Sequence, residues 1–126
     1  MKITKNARRK SYSFFAVSLE GMKEINENFG RPQGDNALRD VSEILKTTTR
    51  RGDFVARNDA GKFVIIAVTD KIEIINDRIA NKIKEFNMRK TCPYTLVLNC
   101  GNGLYKPEDT RTPQEFLSFV YERRQK

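Results

Sequence analysis

The sequence predicts an α+β fold, a ferredoxin-like or palm-type antiparallel sheet with flanking helices. Three observations lead there. Residues 54–68, FVARNDAGKFVIIAV, set two apolar, β-branched or aromatic runs around the polar turn Asn58-Asp59-Ala60-Gly61, the pattern of a buried hairpin. Elsewhere apolar residues recur every three or four positions, as on the buried face of a helix. The resulting order, β-α-α-β-β-α-β-α, implies an antiparallel sheet with helices packed on one face.

Each element has its own signal. Residues 1–12 read as a basic lead-in or linker, and residues 13–126 as the domain. Residues 13–19, SFFAVSL, form a compact apolar run suited to a buried strand. After Glu20-Gly21, a first helix over residues 22–29 carries Met22, Ile25 and Phe29 on one side, with Gly30 as its C-cap. Residues 31–35 read as a loop, with Asp35 as the N-cap of a second helix that runs to about Thr47 and buries Leu38, Val41, Ile44 and Leu45. Arg51-Gly52-Asp53 turns into the hairpin, whose strands are expected at 54–57 and 62–68. Thr69-Asp70 signals a third helix over 71–87, with Ile72, Ile75, Ile79, Ile83 and Phe86 inward. Residues 94–100, YTLVLNC, read as the last strand, ended or bulged by Gly101-Asn102-Gly103. A final helix starts at Pro113, capped by Thr112, and buries Phe116, Leu117, Val120 and Tyr121.

Composition narrows the function classes. A chain of 126 residues with no apolar run near ~20 residues has no membrane-spanning helix pattern, and a basic start without an apolar stretch is not a secretory signal. Histidine is absent, which removes the commonest general base and metal ligand. Cys92 and Cys100 match no zinc spacing and are expected as two buried free thiols in a reducing, cytoplasmic setting. Five of the eight net positive charges lie in Lys2, Lys5, Arg8, Arg9 and Lys10. Few aromatics accompany them, so a solvated linker is favoured over a nucleic-acid-binding arm.

The segment SLEGMKEINENFGRPQGDNALRDVSEIL, followed by RRGDFVARNDAGKF, resembles the GGDEF domain of diguanylate cyclases, enzymes that join two GTP molecules into cyclic di-GMP. Lys23, Ile25, Asn26, Gly30, Gly34, Asp35 and Leu38 match the family's first block. Asp53, Val55, Ala56, Arg57 and Phe63 match its second block, D-x-V-A-R-Y-G-G-D-E-F. The likeness covers about residues 13–124. The family's N-terminal D-x-L-T-G-L-x-N-R, its G-R-N after the last helix and its final strand are absent.

The resemblance implies that two carboxylates should hold metal ions, one at the end of the first strand and one in the signature turn. Here the first position is Ser18, and the signature reads Asp59-Ala60-Gly61-Lys62-Phe63, so its acidic third and fourth places are Gly61 and Lys62. A lysine repels a cation as well as failing to ligate it. No metal and no catalysis are therefore expected. Other matches persist. Asn26 and Asp35 stand where the family reads guanine, although alone they would pass for a helix end and an N-cap. Gly21, Met22 and Lys23 stand at phosphate-contacting positions, as does Arg124. Arg50-Arg51-Gly52-Asp53 fits the inhibitory R-x-x-D, whose Arg50 and Asp53 would grip cyclic di-GMP.

The leading expectation is a catalytically inactive GGDEF-like module of bacterial cyclic di-GMP signalling. It would be regulatory, nucleotide-sensing or dimerising, within a longer chain that carries sensor or EAL domains, and GTP or cyclic di-GMP would be its ligand. An active, Mg²⁺-dependent cyclase using Glu20 and Asp59 as substitute ligands is the enzymatic alternative. A ferredoxin-like nucleic-acid binder acting through the basic tail is the third.

Overall fold

The structure, a computed structural model, describes residues 10–59 and 61–123. The elements are β1 (Tyr12–Leu19), α1 (Met22–Phe29), α2 (Arg31–Thr48), β2 (Phe54–Asp59), β3 (Lys62–Ala67), α3 (Ile72–Arg89), β4 (Leu98–Tyr105) and α4 (Pro113–Glu122), in the expected order. The sheet runs β2-β3-β1-β4 with every neighbouring pair antiparallel. Most of the fold-level expectation holds. The lead-in does not extend to residue 12, because Tyr12 begins β1 opposite Tyr105 of β4 and is buried. Residues 1–9 of the expected linker lie outside the described residues.

Helices cover both faces of the sheet rather than one. β1 is buried along its whole length. Its alternate side chains therefore need cover on each side. Phe15, Val17 and Leu19 pack with Ile25 of α1, Val41 and Leu45 of α2, and Ile75 and Ile79 of α3. Tyr12, Phe14 and Ala16 pack instead with Tyr105 of β4 and Phe116 and Val120 of α4.

The expected loop at residues 31–35 is helix. Gly30 has φ 90, which bends the chain while its N–H still donates to the Asn26 carbonyl at 3.0 Å. Pro32 falls in the first turn of α2, where a missing N–H costs nothing. Asp35 thus lies inside α2 and is not an N-cap. At the far end Thr47, Thr48 and Thr49 donate their hydroxyls to the carbonyls of Ile44, Leu45 and Lys46. These bonds satisfy the last turn of a helix built from weak helix formers.

The hairpin turn is shorter than expected. Asn58 and Asp59 belong to β2, and the register shifts by a bulge between the pairs Arg57↔Phe63 and Asp59↔Lys62. β3 stops at Ala67 instead of residue 68. α3 begins at Ile72 with Lys71 as N-cap, and Thr69 Oγ1 accepts from the Lys71 N–H at 3.1 Å, so neither Thr69 nor Asp70 caps the helix. α3 continues past Asn87 to Arg89.

The last strand is displaced from residues 94–100 to Leu98–Tyr105. The cause is Asn87, whose amide donates to Leu96 O at 2.9 Å and accepts from Leu96 N at 2.8 Å. This clamp uses the backbone of Leu96 for contact with α3. Tyr94 is buried and donates to Asp40 Oδ2 at 2.8 Å. Burial first, and then that bond to a carboxylate, push its phenol pKa up. Gly101 and Gly103 lie within β4, not at its end. α4 is capped as expected: Thr112 accepts from Glu115 N, and Glu115 accepts from Thr112 N. The cysteines are free and half-buried, short of the full burial expected. Among the described residues no helix is long and apolar enough to cross a membrane.

Candidate functional site

The sheet brings Ser18 between two partners. It pairs with Lys62 of β3 on one side and Asn99 of β4 on the other. Residues directly opposite in antiparallel strands share a face, so Lys62, Ser18 and Asn99 form a polar row on the α4 side, where β1 ends. Ser18 is 7% exposed, Asn99 is half-buried, and Lys62 is exposed. The corner that follows is fixed from both flanks: Leu19 N donates to Gly61 O at 2.6 Å, and Glu20 N donates to Val97 O at 2.8 Å. Gly61 adopts φ 80, and a side chain there would start 3.5 Å from Leu19 O and from Met22 Cγ. Gly21, at φ 76, turns the chain into α1 without a side-chain cap. Cys100, the next residue in β4, has its thiol pKa pushed up to about 11 by burial, so the thiol stays protonated at neutral pH.

Of the two guanine-reading candidates, Asn26 lies against Gly34, the residue that precedes Asp35 in α2. Among the described residues the Asn26 side-chain oxygen is buried without a hydrogen-bond partner, and it rests where a side chain at Gly34 would begin, 1.8 Å from that point. Asp35 is exposed and lines a groove of about 520 Å³ with Leu38, Arg39, Ser42, Glu43, Lys46 and Arg57. Lys23 is exposed and pairs with Glu27 at 3.9 Å. Arg124 lies outside the described residues.

A second site forms at the turn between α2 and β2. Gly52 adopts φ 96 there. The Asp53 carboxylate accepts from Arg50 N at 2.9 Å and from Val68 N at 3.1 Å, while Asp53 N donates to Arg50 O at 3.0 Å. Asp53 thus ties the turn to the end of β3, and Arg50 lines a cavity of about 240 Å³.

Comparison with known proteins agrees with the fold. Residues 2–123 match the family described as "Diguanylate cyclase, GGDEF domain". The chain belongs to the GGDEF domain family. Among its relatives, the cyclic di-GMP phosphodiesterase NbdA of Pseudomonas aeruginosa is 30% identical over 113 residues, covering 87% of this chain and 14% of NbdA. The probable diguanylate cyclase DgcJ of Escherichia coli is 24% identical over 105 residues, covering 81% of this chain and 20% of DgcJ. The chain therefore spans a fifth or less of these two relatives. The solved GGDEF domain of TpbB (YfiN) from Pseudomonas aeruginosa superposes with a TM-score of 0.78 at 23% identity, covering 92% of this chain and 70% of that one.

Within this GGDEF domain, the places where the resemblance expects carboxylates hold a hydroxyl at Ser18, no side chain at Gly61 and an ammonium at Lys62. Such a set offers one weak neutral oxygen and a positive charge, a poor match to the oxygen-rich shell of a hard divalent cation. Among the described residues no cluster of three acidic or thiol side chains could hold a metal ion. Sequence reasoning missed three residues. Asn99 was readable as a polar residue in an apolar strand. Lys71 and Arg78 line the Arg50 cavity beside Ile74 and Ile75. Their helical spacing with those isoleucines was the available signal.

Proposed function

We propose that this GGDEF domain is a catalytically silent, nucleotide-responsive module of cyclic di-GMP signalling, operating within a larger protein beside sensor or EAL domains. One observation carries the reading: the buried Ser18 is paired directly with Lys62, so the position of the expected carboxylate faces a lysine across the ladder. Metal-assisted phosphoryl transfer needs fixed cations to offset developing charge, and these residues do not supply the ligands that would fix them. Glu20, one of the two candidate substitute ligands, sits exposed on the corner.

The turn braced by Asp53 beside the Arg50 cavity supports cyclic di-GMP as the input. Incubation with GTP and Mg²⁺ or Mn²⁺ should yield no cyclic di-GMP. Calorimetric titration with cyclic di-GMP should give binding that is lost in Arg50→Ala. Product formation would overturn the silent reading and restore the enzymatic one. Mg²⁺-independent GTP binding lost in Asp35→Asn would move the input to the old active site.

A further inference from the structure

α2 and α3 pack together on the face of the sheet opposite α4, and a surface cleft of about 230 Å³ opens between them. Its floor is apolar: Ile44 of α2 and Phe86 of α3 are half-buried there and pack against the core. Its walls are charged and differ in sign. Glu43 stands on the α2 wall, whereas Lys82, Glu85 and Arg89 leave the α3 wall net positive. A second cleft, of about 350 Å³, adjoins the first at Phe86 and adds Asp40 to the acidic side. Glu43, Lys82, Glu85 and Arg89 share one cleft, yet among the described residues none of them is in a salt bridge. Opposite charges that flank an apolar floor without pairing across it are available to a partner. Met88, 70% exposed and three positions after Glu85, stands beside it on α3 and widens the uncovered apolar area.

We propose that this α2–α3 face is the contact between two copies of the chain, with Ile44 and Phe86 at its centre and Glu43 set against Lys82 and Arg89 at its rim. The charge pattern selects the occupant. In a two-fold pair each patch meets its own copy, so every contact is made twice. With the two-fold axis running along the helices, α2 of one copy lies over α3 of the other. The acidic wall of each copy then faces the basic wall of its mate, and the apolar floors meet between them, as in an interface with an apolar centre and a polar rim. The pairing agrees with the silent reading without resting on it. The Lys62, Ser18 and Asn99 row lies on the α4 side of the sheet, so two copies joined through α2 and α3 carry their rows on outward faces, not opposed to each other.

The test is sedimentation equilibrium of the folded chain without nucleotide, so its outcome is separate from that of the Arg50 site. The parent should form a dimer. Glu43→Lys, and separately Lys82→Glu combined with Arg89→Glu, should each raise the dissociation constant about tenfold or more, because like charges then face each other. Mixing the two variants should restore association to near the parent's strength, since every facing wall in the mixed dimer is again opposite in sign. Lys84→Glu, on α3 but outside both clefts, should match the parent. A parent that stays monomeric at about 1 mM overturns the proposal. So does association that neither variant weakens, or loss in both variants, at unchanged unfolding midpoints, without recovery on mixing. Where a charge reversal lowers the unfolding midpoint, Glu43→Gln and Arg89→Gln take its place, and a dimer that neither of them weakens overturns the proposal equally.

Discussion

At the scale of single residues, two glycines show how the same substitution can have opposite effects. A Cβ at Gly34 would begin 1.8 Å from Asn26 Oδ1, the end of a movable side chain, whereas at Gly103 it would meet Phe116 Cζ at 3.0 Å and Val120 Cγ2 at 3.1 Å. Phe116 and Val120 are buried and cannot withdraw. Gly34→Ala should therefore swing Asn26 out of place while gaining up to about 1 kcal/mol of helix propensity. Gly103→Ala should cost about 1–3 kcal/mol through overpacking. Urea unfolding of both variants checks the contrast, and equal midpoints would mean that α4 yields to a methyl group at position 103. Neither role was legible beforehand. Gly34 looked like a loop glycine and Gly103 like a strand terminator, because the reason for each lies on a different element.

At the scale of elements, α4 was the most legible, since its start is written locally in Thr112, Pro113 and Glu115. The backbone N–H of Thr112, and then its hydroxyl contact, hold the Glu115 carboxyl below its ordinary value of 4.5. A depressed carboxylate stabilises the fold above its unfolded pKa, and that contribution is lost as pH falls through the folded value. The stability gap between the parent and Glu115→Gln should thus be full at neutral pH and close below about pH 4. Thr112→Ala should cost about 0.5–2 kcal/mol by removing the cap. A gap that stays constant down to pH 3 would mean that the box does not depend on the carboxylate. β4 was the least legible element. Its start is set by the Asn87 clamp on Leu96, and its course through Gly103 by the approach of α4. Both are tertiary contacts that period-2 patterning does not encode. The start of α2 failed for a related reason: Gly30 at φ 90 breaks the chain by itself, so no further loop is needed.

At the scale of the whole molecule, the candidate centre exists only because the sheet closes. Ser18 comes from β1, while Gly61 and Lys62 come from the β2–β3 turn and β3, and the ladder alone makes them neighbours. Their spacing within the family blocks made the missing carboxylates readable, whereas for the α3 residues that line the Arg50 cavity the sequence offered only helical spacing. The triple variant Ser18→Asp, Gly61→Asp, Lys62→Glu restores acidic side chains at all three positions. Without metal it should be less stable than the parent. Gly61 has φ 80, where a side chain costs about 1–2 kcal/mol, and position 18 is only 7% exposed, so a carboxylate there is desolvated. Mg²⁺ should offset part of that loss, by about 2.7 kcal/mol when its concentration reaches about 100 times Kd. Thermal unfolding with and without Mg²⁺, reversed by chelator, should therefore show a metal-dependent rise in the triple variant and a flat response in the parent. A flat response in the variant would mean that positions 18, 61 and 62 do not converge on a cation, and the silent reading would lose its structural basis. A rise in the parent would overturn it more directly, because Ser18 and Lys62 would then leave a functional metal site intact.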